Sequence, residues 1–136
     1  MNSLYIKERS TIESLSERLT YFLDNLPENS DTKAMEEDYI CDCLYRLNQA
    51  LEDTKYAIEY CCRETIEGYL KESIDVEGRY CVKKNELTCG RPLEVFLWGK
   101  WYRGRVEYGD EYYFVGAGNP PLAELMKKKV KVRIRV

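Results

Sequence analysis

The fold is decided by the stretch Leu93-Glu-Val-Phe-Leu-Trp-Gly-Lys-Trp-Tyr-Arg-Gly-Arg-Val-Glu-Tyr-Gly-Asp-Glu-Tyr-Tyr-Phe-Val115. Its runs of aromatic and β-branched residues are separated by Gly99-Lys100 and by Gly109-Asp110. A glycine at the first central position of a two-residue loop is typical of a tight β-turn. The stretch therefore predicts two consecutive β-hairpins.

The two turns also predict a register, and the register sorts the side chains onto two faces. Trp98 should lie opposite Trp101, and Val106 opposite Tyr113. The inward face should then hold Gly104, where the strand bends, and seven larger residues: Leu93, Val95, Leu97, Tyr102, Val106, Tyr113 and Val115. The outward face should hold five aromatic residues and two arginines: Phe96, Trp98, Trp101, Arg103, Arg105, Tyr112 and Phe114.

Around these hairpins the pattern predicts a small five-stranded β-barrel. Strands are expected near 79–83, 93–98, 101–108, 111–116 and 129–135, and a short helical turn follows Asn119-Pro-Pro121. Five short strands joined by tight turns, with a helical turn before the last strand, are typical of an SH3-like barrel.

The first half of the chain has the apolar spacing of two helices. The first stripe runs Ile12, Leu15, Leu19, Phe22, Leu26 and ends at Pro27, with a polar turn over 28–32. The second keeps a four-three spacing through Ile40, Leu44, Leu47, Leu51, Thr54, Ile58, Cys61 and Thr65. Such a heptad stripe requires another helix to pack against.

The two helices should form an antiparallel hairpin of unequal arms, because about 20 residues face nearly 40. The unmatched part of the long helix favours a homodimer through that helix. The alternative is that the C-terminal unit covers it.

Charge divides the chain at the same place as the hydrophobic period. Residues 1–72 carry a net charge of −8 and residues 73–136 a net charge of +5, although the whole chain is only −3. The sequence thus predicts an α+β protein, with an acidic helical hairpin over 1–72 and a basic SH3-like barrel over 76–136.

The composition argues against catalysis. The chain has no histidine, so Ser-His and Cys-His dyads and imidazole metal ligands are excluded. Cys41 and Cys43 are two residues apart and Cys61 and Cys62 are adjacent, so neither pair converges on one point of a helix. Cys89 has no histidine to act as its base. We expect no enzyme activity, no cofactor and no metal site.

The expected location is the cytoplasm. No apolar run approaches the roughly 18 residues that span a bilayer. The first residues lack the apolar core of a signal peptide, and in the cytoplasm the six cysteines would be reduced thiols.

The basic C-terminal segment alternates, with Val130, Val132, Ile134 and Val136 pointing inward. The outward positions, together with the preceding lysines, form a six-cation strip: Lys127, Lys128, Lys129, Lys131, Arg133 and Arg135. Such a strip could contact a phosphate backbone. Alternatively it protects an exposed edge strand, for which charged side chains are a common device.

The motif Leu87-Thr-Cys-Gly-Arg-Pro-Leu-Glu-Val95, followed by Gly99-Lys-Trp-Tyr-Arg-Gly-Arg-Val-Glu-Tyr108, resembles a small domain-of-unknown-function family of Gram-positive bacteria. The resemblance covers about residues 78–136 and implies no established activity. The strand Trp101-Tyr-Arg-Gly-Arg-Val106 is also similar to a strand of Tudor-type barrels.

Two functions fit these patterns. The first is a non-enzymatic module that binds a protein partner through the outward aromatic face, since Trp, Tyr and Arg commonly anchor interfaces. The same face could instead pack against the helical hairpin. The second function is nucleic-acid binding, with Arg103, Arg105, Lys131, Arg133 and Arg135 as phosphate contacts.

Overall fold

A computed structural model describes residues 3–26 and 35–136 of the chain, which form two compact units, Met1–Cys62 and Arg63–Val136. The first unit contains α1 (Ser3–Asp24) and α2 (Met35–Cys62). Pro27 and the polar turn expected after it lie outside the described residues.

The two helices form the expected antiparallel hairpin. Arg9 contacts Glu59, whereas Thr20, further along α1, contacts Asn48, so the two helices run in opposite directions. The long helix is shorter than predicted, because α2 ends at Cys62 and residues from Thr65 onward form a strand.

The second unit is an antiparallel sheet of seven strands with one short helix. Its elements are β1 (Thr65–Glu72), β2 (Tyr80–Val82), β3 (Asn85–Leu87), β4 (Pro92–Leu97), β5 (Lys100–Tyr108), β6 (Tyr112–Val115), α3 (Leu122–Lys127) and β7 (Lys131–Arg135). The strand order is β3-β2-β1-β7-β4-β5-β6. The α+β class is confirmed, but the five-stranded SH3-like barrel is not.

Two strands were missing from the sequence prediction. β1 follows α2 after two intervening residues, and its Thr65 was predicted to be the last residue of the helical stripe. The segment adopts a strand because it pairs on both sides, with β2 and with β7. β3 is only three residues long, too short for an alternation to show.

The sheet curls around one hydrophobic core. Tyr80 of β2 meets Tyr112 of β6 edge-on, with ring centroids 6.5 Å apart, although four strands lie between β2 and β6 in the sheet. α3 adds two buried leucines to this core, which consists of Leu70, Val82, Leu87, Leu93, Val95, Val106, Phe114, Leu122, Leu125, Val132 and Ile134.

The first hairpin turns one residue earlier than predicted. Trp98 and Gly99 occupy its centre, with φ of 49° and 81°, so the strands pair Phe96 with Trp101 and Val95 with Tyr102. Two consecutive positive φ values are the mark of a type I′ turn, whose twist matches that of the strands. The pairing is displaced by two residues, which leaves the predicted faces of β4 and β5 unchanged.

The second hairpin differs more. Tyr108 pairs with Tyr112, so three residues, 109–111, form its loop rather than two. Val106 therefore lies opposite Phe114 and not opposite Tyr113. A displacement of one residue reverses the faces of a strand, and the predicted faces of β6 are wrong for this reason.

The last strand is central rather than peripheral. β7 lies between β1 and β4, so the interpretation of its cations as protection of a sheet edge is wrong. Its predicted alternation holds within the strand, because Val132 and Ile134 are fully buried while Lys131 is exposed, but Val136, also expected to point inward, is 49% exposed.

Candidate functional site

The sheet has a second face, turned away from the core, on which aromatic and charged side chains collect. We call it the outer face. The alternation of β4, β5 and β7 and their register place there, among others, Glu94, Phe96, Trp101, Arg103, Arg105, Lys131, Arg133 and Arg135. Four of these, Phe96, Trp101, Arg103 and Arg105, are among the predicted partner-binding residues.

Trp101 is the centre of the outer face. Its ring lies 5.2 Å from the ring of Phe96, centroid to centroid, at 60°. The guanidinium carbon of Arg133 lies 4.2 Å from the centroid of the Trp101 ring, which is within cation–π range. Phe96 remains 38% exposed and Trp101 is half-buried. The group thus offers an apolar surface beside a positive charge.

Glu94 fixes the arginines of this group. Its carboxylate accepts a hydrogen bond from Arg133 Nε through one oxygen and another from Arg135 Nε, at 2.7 Å, through the other. Glu94 is only 3% exposed, so the ion pairs are shielded from water. Burial raises the pKa of Glu94, but the hydrogen bonds from Arg135 and Arg133 and their positive charges together hold it below its ordinary value.

The charged side chains of the outer face differ in their ion-pair partners and in their exposure. Arg133 also lies 3.8 Å from Glu67 of β1, and Arg105 pairs with Glu107 at 2.6 Å. Arg103 and Lys131 are exposed. Of the predicted phosphate contacts, Arg133 and Arg135 are therefore engaged by a buried carboxylate, and Arg105 is held by an exposed ion pair.

Trp98 is separate from the outer face, contrary to the prediction, because the first hairpin turns one residue earlier than expected. It lies in the first turn, 76% exposed, and its ring meets the edge of Tyr102, 5.5 Å away, on the core side of the sheet. The ammonium of Lys100 lies 4.7 Å from the Tyr102 centroid. Trp98, Lys100 and Tyr102 form a second aromatic–cationic group, which we call the turn group.

Tyr112 and Phe114 do not belong to the outer face, contrary to the prediction. Phe114 is fully buried in the core, and Tyr112 packs between the rings of Tyr80 and Tyr108. Both assignments fail because the three-residue loop reverses the faces of β6. Tyr113 and Val115 take the outward positions instead.

Glu94 is the residue of the outer face that sequence reasoning did not select. A carboxylate between two core residues, Leu93 and Val95, requires a cationic partner if the strand is covered on both sides. That signal was present, but the partner strand β7 is 39 residues away and its position beside β4 was not predicted.

The cysteines give no sign of a metal site. None of the described cysteines is in a disulfide; Cys41 and Cys81 are half-buried, and Cys43, Cys61, Cys62 and Cys89 are exposed. Among residues 3–26 and 35–136, no group of three or more Cys, Asp or Glu side chains is arranged to hold a metal ion. Within the same residues, neither long helix is sufficiently apolar to cross a bilayer.

Comparison with known proteins adds one finding. No curated protein and no solved structure matches the chain. Residues 73–134, which include all of β2 to β6 and most of β7, match the model of a family described as "Domain of unknown function (DUF5348)". The resemblance of the C-terminal half to a domain-of-unknown-function family is thus confirmed, and this half of the chain is similar to DUF5348.

Proposed function

We propose that this protein is a non-enzymatic interaction module that binds a protein partner through the outer face of its sheet. The observation that carries the proposal is the position of Trp101 between the ring of Phe96 and the guanidinium of Arg133. Tryptophan and arginine are the residue types most often found at the energetic centres of protein interfaces.

The rigidity of the outer face supports this function. The buried carboxylate of Glu94 holds Arg133, and Arg133 in turn holds the ring of Trp101. Side chains that are already ordered lose little conformational entropy on binding, and each immobilised side chain otherwise costs about 0.5 to 1.5 kcal/mol.

The chemistry of the partner follows from the charges around Trp101. Arg103 and Lys131 are exposed on the same face, and this unit carries more cations than anions. The partner is therefore an acidic segment with an aromatic or aliphatic side chain for Phe96 and Trp101. The expected place of this binding is the cytoplasm.

Nucleic-acid binding is the second candidate, favoured by one observation. Lys127, Lys128, Lys129 and Lys131 are all exposed and lie close together along the chain. Against it stand the salt bridges of Arg133 and Arg135 to the buried carboxylate of Glu94, which engage two of the predicted phosphate contacts. The protein-binding proposal is preferred for that reason.

Selection of random displayed peptides against the full chain tests the proposal. We expect the selected peptides to combine Asp or Glu with an aromatic residue. Trp101→Ala and Arg103→Glu should each lower the affinity for these peptides at least tenfold. Trp98→Asn is the matched control, because it removes an exposed tryptophan from the same hairpin but outside the outer face. Circular dichroism verifies that each variant is folded.

Fluorescence anisotropy of labelled single- and double-stranded oligonucleotides forms the second arm. Binding through phosphate contacts would fall steeply with salt, because counterions are released. Salt-sensitive oligonucleotide binding without any peptide enrichment would replace the first proposal by the second. If the selected peptides bind the Trp101→Ala variant as tightly as the wild type, the outer face is not the binding site.

A further inference from the structure

The two helices of the first unit bury only part of their apolar stripes, including Ile58, which is 6% exposed. Ser16 of α1 is 2% exposed, and its hydroxyl donates a hydrogen bond to the carboxylate of Glu52 on α2. Thr20 exchanges hydrogen bonds with Asn48, and Arg9 contacts Glu59 at 3.3 Å. Much of the contact between the helices is therefore polar.

Several of the remaining apolar side chains lie together on one side of the hairpin. They form a groove of about 410 Å³, which we call the helical groove, lined by Leu15, Arg18, Leu19, Phe22, Leu47 and Leu51. Leu15, Phe22 and Leu47 are 48%, 50% and 52% exposed. Large apolar side chains so exposed and so close together mark an interaction surface.

The spacing of these residues indicates what fills the groove. Leu15, Leu19 and Phe22 on α1 repeat at intervals of four and three, and Leu47 and Leu51 on α2 continue the same spacing from Leu44, which is outside the groove lining. That repeat is the pattern by which helices pack side by side in bundles. A pair of helices with this pattern requires a second pair to enclose a core.

The dimensions of the groove face suit a dimer of two identical hairpins. α1 has 22 residues and is therefore about 33 Å long. Two helices packed about 9 Å apart present a face about 20 Å wide. Each copy then contributes about 650 Å², and the total of about 1,300 Å² is within the range of stable protein interfaces.

We infer that a second copy of this chain packs on the helical groove, so that two hairpins form a four-helix bundle about a two-fold axis. In such an arrangement each groove residue meets the same patch of the other copy. The inference is independent of the outer face, because all of its residues lie in the first unit.

The test measures the mass of the full chain by light scattering and its thermal midpoint over about a hundredfold range of concentration. We expect twice the chain mass of 16.1 kDa and a midpoint that rises with concentration. Leu15→Glu and Leu47→Glu, one on each helix, should each give a monomer whose midpoint no longer depends on concentration. Both positions are half-exposed in the single hairpin, so the hairpin itself should retain its helical circular dichroism.

Tyr45→Glu is the matched control, because Tyr45 is 55% exposed on α2 but does not line the groove. It should leave the dimer intact. A wild-type chain that is monomeric at every concentration overturns the inference. So does a dimer that survives the double variant Leu15→Glu/Leu47→Glu, or one that Tyr45→Glu disrupts as strongly.

Discussion

Glu94 stands in the middle of β4 between Leu93 and Val95, both fully buried, and its own side chain is almost as inaccessible. A lone carboxylate in such a place would be strongly destabilising, whereas one paired with two arginines is tolerated. The arrangement also orders the outer face, because Glu94 holds the same two arginines in fixed positions there. Glu94 thus links the stability of the sheet to the geometry of the candidate site.

Glu94→Gln should lower the free energy of unfolding by about 2 to 3 kcal/mol at pH 7, because two half-buried guanidinium groups lose the buried carboxylate that they share. Urea titration followed by circular dichroism measures this. Glu107→Gln is the matched control: its ion pair with Arg105 is more exposed, so we expect a loss of at most about 1 kcal/mol. Equal losses in the two variants would contradict the role assigned to Glu94.

The pH dependence of stability should also reveal Glu94. Its pKa in the folded state lies below the ordinary value of 4.5. Below pH 4.5 the unfolded chain therefore takes up this proton before the folded chain does. The stabilisation is complete above pH 4.5 and is lost as the pH falls through the folded pKa. The difference between wild type and Glu94→Gln should shrink over that interval, and a difference that is constant from pH 7 to pH 3 would refute the assignment.

At the scale of the elements, the two hairpins show how far sequence reasoning reached. The aromatic strands and their glycine-containing turns predicted both hairpins. The side chains of β4 and β5 lie on the predicted faces, although the register of the two strands is displaced by two residues. This is why Phe96, Trp101, Arg103 and Arg105 were assigned to one face before the structure was known. The face of β6 was wrong because nothing in Gly109-Asp-Glu111 distinguishes a two-residue loop from a three-residue one.

The turn at Trp98 carries a residue that its backbone disfavours. A φ of 49° suits Asn or Gly and costs most other residues about 1 to 2 kcal/mol. Trp98→Ala and Trp98→Asn both remove the ring contact with Tyr102, but only Asn relieves the backbone. We expect the Asn variant to be more stable than the Ala variant by about 1 kcal/mol in chemical denaturation. Equal stabilities would argue against a type I′ turn.

Gly104 is required by the packing of Phe114. A Cβ at position 104 would lie 2.5 Å from Phe114 Cζ and would also meet the carbonyl oxygen of Val115, which cannot move aside. Gly104→Ala should therefore cost about 2 to 3 kcal/mol. Gly109→Ala is the control in the same hairpin, since its Cβ would meet Tyr113 at an ordinary 3.6 Å and should change stability by less than about 0.5 kcal/mol. A neutral Gly104→Ala would contradict the position of the Phe114 ring.

At the scale of the molecule, the strand order is what the sequence could not disclose. β1 lies between β2 and β7, and β7 lies between β1 and β4, so each central strand pairs with a neighbour distant in sequence. Such pairings leave no local signature. For the same reason the sequence predicted that the preceding helix continues through Thr65–Glu72. The alternation of buried and exposed residues in this segment arises from its pairing with β2 and β7.

The position of β1 predicts which fragment folds. Residues 63–136 contain all seven strands, whereas residues 73–136 lack β1, which joins β2 to β7. We expect cooperative thermal unfolding from the first fragment and a broad, weak transition from the second. Near-ultraviolet circular dichroism reports the packing of the aromatic core in both. A shorter fragment that unfolds as sharply as the longer one would show that β1 is dispensable.

The central place of β7 has a consequence for biosynthesis. A ribosome makes this strand after the other six, yet β7 is the one that joins the β1–β3 part of the sheet to the β4–β6 part. Until β7 leaves the exit tunnel, the nascent chain holds two incomplete sheets whose facing edges, on β1 and β4, are unpaired. Unpaired edges invite association with other chains. The time between synthesis of β6 and release of β7 is therefore when this protein is most exposed to misassembly and to chaperones.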